Sequence, residues 1–324
     1  MCKQRRAASL RARMQRVLVT GGAGVLGAAV VRRLLRDPDY EVRVSDQRAV
    51  PAWMREGCEV HRGDLRALSE ARKALAGCTH AIHLAGIVEG AGAPHTLTEV
   101  NNALSNAVVR AALDADVARF VYVSSSTVYE RATVFPTPEE HAWECPPPQS
   151  AYGFSKLTGE MYCRAAAAEH GLRYTICRPF NAYGPGGPDD AVIPDLIRKS
   201  LDGLSPMPIY GSGEQTRTFT WLDDVADGLV CAMSSPAGEG EAFNIAWREE
   251  TSIAELARLC WEACGRDPEQ LELATEPSPK TVDPPRRYAS VEKARELLGW
   301  EAKVSVAEGV AETVQWLSHQ EEAA

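Results

Sequence analysis

The sequence predicts an α/β protein, a doubly wound parallel sheet with a smaller C-terminal α/β lobe. Three observations carry that prediction. Short β-branched apolar runs alternate with helical patterns, a glycine-rich turn separates the first run from the first helix, and Pro and Gly become frequent beyond Arg178. Strands that alternate with helices and are apolar along their whole length belong to a parallel sheet covered on both faces.

The strands are expected at Val17–Thr20, Glu41–Ser45, Glu59–His61, His80–Leu84, Phe120–Ser124 and Tyr174–Arg178. Helical patterns fall between them at Gly24–Leu35, Ala67–Ala76, Asn101–Ala115 and Ser155–His170. Residues 16–178 are thus expected to form the first domain. Residues 179–324, where Pro179, Pro188, Pro194, Pro206 and Pro208 punctuate shorter elements, are expected to form a second lobe interleaved with it. Residues 1–15 are basic and lack the apolar segment of a secretory signal; they are expected to be a disordered extension.

Composition narrows the function classes. A net charge of −9 argues against a general nucleic-acid binder, so any phosphate site must be local, built from backbone N–H groups and a few placed cations. No run of ~18 apolar residues is present to span a membrane, and a cytoplasmic protein is expected. Nine cysteines without a Cys-x-x-Cys pair argue against a disulfide framework and against a metal centre. Cys260 and Cys264, one helical turn apart, read as buried hydrophobes.

The glycine turn carries the first chemical signal. Val17–Thr20 runs directly into Gly21-Gly22-Ala23-Gly24-Val25-Leu26-Gly27, and a helix follows. Gly21 permits the tight turn, Gly24 lets a pyrophosphate approach the backbone, and Gly27 lets the helix pack on the sheet. The helix N-terminus then offers free N–H donors to an anion. Asp46, at the end of the second strand, suits the two ribose hydroxyls of NAD and repels a 2′-phosphate, an effect that Arg48 softens.

Tyr152-Gly153-Phe154-Ser155-Lys156 carries the second signal, with Tyr and Lys on one helix face. A phenol that removes a hydroxyl proton at neutral pH must be brought from about 10 toward 7, roughly 4 kcal/mol. A single surface charge does not supply that much. A buried Lys⁺ beneath the phenol, with a positive nicotinamide ring, does. The hydroxyl run Ser124-Ser125-Ser126-Thr127 ends the fifth strand, where a doubly wound sheet holds its ligand.

Taken in order, the glycine turn, Asp64-Leu65, Leu84-Ala85-Gly86, Val123 through Tyr129, Tyr152-x-x-x-Lys156 and Arg178 through Pro185 resemble the extended short-chain dehydrogenases/reductases. Within that family the chain is most similar to nucleotide-sugar epimerases and dehydratases, the 4-epimerases above all. Gly211 through Phe219, Asp223-Asp224-Val225 and Leu298-Gly299-Trp300 extend the resemblance over nearly the whole chain from Arg16. It implies a Rossmann fold, NAD as cofactor and a nucleotide-diphosphate sugar as substrate. Ser125, Tyr152 and Lys156 would be catalytic. Gly21, Gly24, Val25, Leu26, Gly27, Asp46, Asp64, Leu65, Leu84, Ala85, Gly86, Asn101, Ser124 and Pro179, with Tyr152 and Lys156, would hold the cofactor. Ser126, Thr127, Asn181, Val192, Arg217 and Lys280 would bind the substrate, its diphosphate at Asn181 and Arg217. No metal is implied. A homodimer is, through the helices at Asn101–Ala115 and Ser155–His170.

The resemblance further implies a transient oxidation to a keto sugar, at C4, followed by epimerisation, dehydration or decarboxylation. In the 4,6-dehydratases an Asp-Glu pair follows the catalytic hydroxyl; here Ser126 and Thr127 stand there, and neither is a general acid or base near pH 7. Enzymes that handle glucuronate carry an Arg after the Tyr-Gly-Pro turn; here that turn reads Gly186-Gly187-Pro188-Asp189-Asp190. An epimerase is therefore expected. A decarboxylase, a net dehydrogenase/reductase or a catalytically idle NAD-binding interaction protein stay open as alternatives. Lys280 stands where the family has a second diphosphate arginine, keeping the charge but losing the fork, and Arg286 or Arg287 would compensate.

Overall fold

Val17, Leu18 and Val19 have no exposure to solvent, as a strand covered on both faces demands. They lie on β1 (Gln15–Thr20) of the computed structural model, which describes residues 14–88, 93–278 and 282–322. Most of the expected N-terminal extension, and Lys280, lie outside the described residues. After β1 come α1 (Val25–Leu35), β2 (Tyr40–Ser45), α2 (Ala52–Gly57), β3 (Glu59–His61), α3 (Leu68–Leu75) and β4 (His80–His83). The succession continues through α4 (Pro94–Asp114), β5 (Arg119–Val123), α5 (Ala151–His170) and β6 (Tyr174–Pro179).

A seven-stranded sheet results, in the order β11-β6-β5-β4-β1-β2-β3 with β11 at Ala242–Ile245. The pairings β1–β2, β2–β3, β1–β4, β4–β5 and β5–β6 are all parallel. The strand order reverses direction between β1 and β4, and a sheet of this kind takes its ligand at the carboxyl ends of those strands. On one face Leu18, Ala81, Phe120, Tyr122 and Ile176 pack against Leu75 of α3, Val108 and Ala112 of α4 and Cys163 of α5. Val30, Val31 and Leu34 of α1 are also buried.

Two helices begin earlier than expected, each for a local reason. Helix α4 starts seven residues before Asn101, with Pro94 in the first turn, where a missing N–H costs nothing. Helix α5 starts at Ala151 because the Ser150 hydroxyl caps it, accepting from Gly153 N at 3.0 Å. Tyr152 and Lys156 are both helical as a result.

The chain divides into two compact units. The first is Met1–Ser125, Ser150–Arg178 and Ala226–Phe243; the second is Ser126–Gln149, Pro179–Val225 and Asn244–Ala324. A boundary drawn only at 178 misses two crossings. Residues 126–149 join the second unit because Tyr129 donates to Asn244 Oδ1, and Glu139 Oε1 accepts from Asn244 N at 2.8 Å. Residues 226–243 join the first because Arg33 pairs with Asp227 and Thr175 donates to the Gly238 carbonyl.

The second unit holds β7 (Ala182–Tyr183), α6 (Val192–Leu201), β8 (Met207–Tyr210), β9 (Thr216–Arg217) and β10 (Thr220–Trp221). Helix α7 (Leu222–Ser234) follows, then β12 (Thr251–Ser252), α8 (Ile253–Ala263), β13 (Leu273–Glu276), β14 (Arg286–Arg287) and α9 (Val306–Glu322). Its small sheets pair β10 with β7, β13 with β8, and β9 with both β12 and β14. Among the described residues, no helix is long and apolar enough to cross a membrane.

Candidate active site

The glycine turn is built as a cradle. Gly21 has φ 71°, and a Cβ there would stand 2.9 Å from the Ala85 backbone. A Cβ on Gly27 would stand 2.2 Å from the Gly21 carbonyl oxygen, so only glycine lets α1 approach the turn. Helix α1 opens on Gly24 without a side-chain cap. The N–H groups of Val25, Leu26 and Gly27 therefore lack intrahelical partners, which is what a bound pyrophosphate needs. These features fit NAD.

Asp46 borders the cradle. Its Oδ2 accepts from Ala23 N at 3.0 Å, which ties the glycine turn to the end of β2. Arg48 covers the same carboxylate through its backbone N, Nε and Nη2, and leaves the Asp46 side chain 7% exposed. The facing wall comes from the end of β4. Leu84 N and Ala85 N both donate to Thr20 Oγ1, at 3.2 and 3.1 Å. Asn101 holds the next residue, accepting from Ile87 N at 2.7 Å and donating to Ile87 O at 2.9 Å, and its amide also reaches Ser155 Oγ. Asn101 thus clamps the wall to the start of α5.

Two expected cofactor residues are used differently. Leu65 is 4% exposed and its side chain packs in the core. Ser124 points inward and donates its hydroxyl to Glu160 Oε1 at 2.6 Å, so its side chain is committed to the protein. Asp64 is half-buried and paired with Arg66, which holds its carboxyl below the usual carboxylate range.

At the expected catalytic pair, Lys156 Nζ lies 5.7 Å from the Tyr152 ring centroid and 5.5 Å from that of Tyr122, and donates to Val123 O at 2.9 Å. Burial pushes Lys156 down to about 8, while Glu160 pulls it back up. His83, on β4, is fully buried; burial pushes it down to about 3, and it is neutral. Its Nδ1 meets Thr20 Oγ1 at 2.7 Å, and the hydroxyl is the donor because the two backbone N–H groups fill its acceptor side. Ser125 is half-buried, one residue beyond the inward-facing Ser124.

The second unit carries the remaining residues. Ser126 and Thr127 are buried at the start of a short 3-10 helix, Ser126–Tyr129. Asn181 has φ 32° and donates to Thr218 O at 2.9 Å. Arg217, with its side chain 9% exposed, pairs with Asp283 and donates to Thr216 O. Val192 opens α6 and is exposed. Arg286 pairs with Glu250. Arg198 reaches back from α6 to Asp189 and brings a guanidinium to a loop whose sequence has none.

Sequence reasoning missed Asp283, Glu160 and the clamping role of Asn101. Glu160 alone had a local signal, an acid one turn beyond Lys156 on a buried helix face.

The model of the NAD dependent epimerase/dehydratase family matches residues 17–246. UDP-glucuronic acid decarboxylase 1 of Xenopus tropicalis is 30% identical over 326 residues, which cover 94% of this chain and 74% of that protein. The structure of UDP-glucose 4-epimerase from Thermotoga maritima with UDP-glucose has a TM-score of 0.84 at 30% identity, over 95% of this chain and 100% of that one. MoeE5 in complex with UDP-glucuronic acid and NAD has a TM-score of 0.82 at 31% identity, over 94% of this chain and 99% of that one.

Proposed function

The chain belongs to the NAD dependent epimerase/dehydratase family, and on that premise we propose that it epimerises a nucleotide-diphosphate sugar at C4. Gly21, Gly24, Gly27 and Asp46 would hold NAD, which when bound would supply a hydride acceptor and donor for the sugar carbon. The first unit is the cofactor-binding and catalytic half, and the second binds the sugar nucleotide.

Tyr152 is the base that removes the hydroxyl proton. Lys156 sets a positive charge 5.7 Å from the centre of the phenol ring and so favours the phenolate, and Ser125 hydrogen-bonds the reacting oxygen. When the keto sugar has turned its other face, Tyr152 returns the proton. Asn181 and Arg217 hold the diphosphate, with the Arg217 fork exchanging part of its bond to Asp283 for phosphate oxygens.

One observation favours epimerisation over dehydration: positions 126 and 127 carry buried hydroxyls and no carboxyl. A second reading, decarboxylation of a sugar with a C6 carboxylate, draws support from Arg198 on the Asp189 loop and from the similarity to a UDP-glucuronic acid decarboxylase. A panel of UDP-, GDP- and dTDP-sugars, including glucuronates, read by proton NMR tests both. The proposal expects a C4 epimer with no net change at 340 nm; a pentose product with released CO₂ supports the second reading and overturns the first.

Support for a homodimer comes from α5, where Phe154 and Met161 are 48% and 47% exposed along one face with Ala165 and Ala168. Small and apolar residues in such a stripe suit close packing against a second copy. Met161→Lys is expected to halve the mass measured by light scattering; an unchanged mass argues against this interface. The eight free cysteines among the described residues suit a reducing cytoplasm.

A further inference from the structure

Glu160 and Arg178 are both fully buried, and their ion pair spans two core elements, α5 and β6. A buried ion pair is weak evidence of a stability role, since well-packed apolar residues often serve as well. The geometry gives this one another task. Glu160 Oε1 accepts from Ser124 Oγ at 2.6 Å and from Arg178 Nε at 2.8 Å, and Oε2 accepts from the Arg178 Nη2 at 2.6 Å. The carboxylate therefore joins the end of β5, the middle of α5 and the end of β6. Ser124 is the covalent neighbour of Ser125, and Glu160 stands four residues beyond Lys156, on the same helix face.

Every element around Lys156 adds to its surroundings. From β4 comes neutral His83, and from β5 the ring of Tyr122 and the Val123 carbonyl. Helix α5 adds Tyr152, Glu160 and Cys163, and β6 adds Arg178 behind Glu160. Burial pushes the Tyr122 phenol and the Cys163 thiol up, so both are neutral. Among these groups Glu160 is the anion that opposes the burial of Lys156.

We propose that Glu160 is a positioning residue for the catalytic pair: oriented by Arg178, it keeps Lys156 an ammonium and fixes Ser124, and through it Ser125, to the catalytic helix. This rests on the reading of Tyr152 and Lys156 as base and partner. Without the carboxylate, Lys156 would face desolvation and the charge of Arg178 together, and would lose its proton at neutral pH. The phenol would then lose the cation that lowers it.

The test is the tyrosinate absorbance of the NAD-bound protein near 295 nm, titrated with pH, with Tyr152→Phe subtracted to isolate Tyr152. Glu160→Gln keeps the shape and removes the charge; it is expected to raise the midpoint by about one unit, a tenfold change in the ionisation constant. Because the buried charge of Arg178 then lacks the Glu160 carboxylate and the variant can unfold, Glu160→Gln with Arg178→Met provides a neutral counterpart, expected to shift the same way by less. Ser124→Ala, which removes only the hydroxyl contact, is expected to lower kcat several-fold, keep KM within about twofold and leave the midpoint in place. Folded charge variants with an unmoved midpoint overturn the proposal, and so does a double variant that cannot fold, since the pair is then structural. A wild-type titration that Tyr152→Phe does not alter contradicts the underlying reading instead.

Discussion

The two units meet the problem of charge in opposite ways. In the first, Lys156, Glu160 and Arg178 are buried and satisfied by one another and by Val123 O and Ser124 Oγ. In the second, Arg217 leans on Asp283 and Arg198 on Asp189, pairs with partly exposed carboxylates. A buried, internally paired network is built before any ligand arrives and resists salt. A pair whose carboxylate reaches solvent is provisional, and an incoming phosphate competes for the guanidinium. On the proposed function, the difference leads us to expect rate effects from the first unit and affinity effects from the second.

That division breaks most visibly at Tyr152. Tyr152→Phe is expected to lower kcat about a thousandfold, within the usual range for a lost general base, while NAD stays bound; steady-state rates with cofactor absorbance check both. Next in size is Arg217→Ala, which is expected to raise KM roughly ten- to a hundredfold, the range for a lost charged hydrogen bond, with kcat within a few-fold. A fall confined to kcat would place Arg217 in the chemistry and blur the comparison. The pH profile comes third. Lys156, pushed down to about 8, loses its charge as pH rises, so kcat is expected to fall about fivefold from pH 8 to 9. Lys156→Arg, whose guanidinium stays charged, is expected to lack that limb even if its maximum is lower. The smallest effect is at Arg48, where Arg48→Ala uncovers Asp46 and is expected to change NAD affinity only a few-fold by fluorescence titration, as surface pairs do.

The comparison also explains what was legible in the sequence. The glycine turn, Asp46 and Tyr152-x-x-x-Lys156 are local patterns whose chemistry depends on neighbours within a few residues, and they stood out. Ends of helices were less so: α4 begins at Pro94, several residues before its apolar periodicity starts. The partnerships were hidden. Glu160 and Arg178 meet across a strand and a helix, Arg217 and Asp283 across 66 residues of chain, and no spacing rule reaches so far. Ser124 shows the same limit, since the strand pleat decides which of two adjacent serines turns inward, and a run of hydroxyls does not reveal it.

The central claim is that a hydride leaves C4 and returns to the same carbon from the other side. It is tested most directly with a nucleotide sugar deuterated at C4, found active in the panel, incubated with the protein in ordinary water and read by NMR and mass spectrometry. The account predicts the C4 epimer with the deuterium still on C4. Deuterium lost to solvent, moved to C6, or found in a product that has lost CO₂ would contradict it.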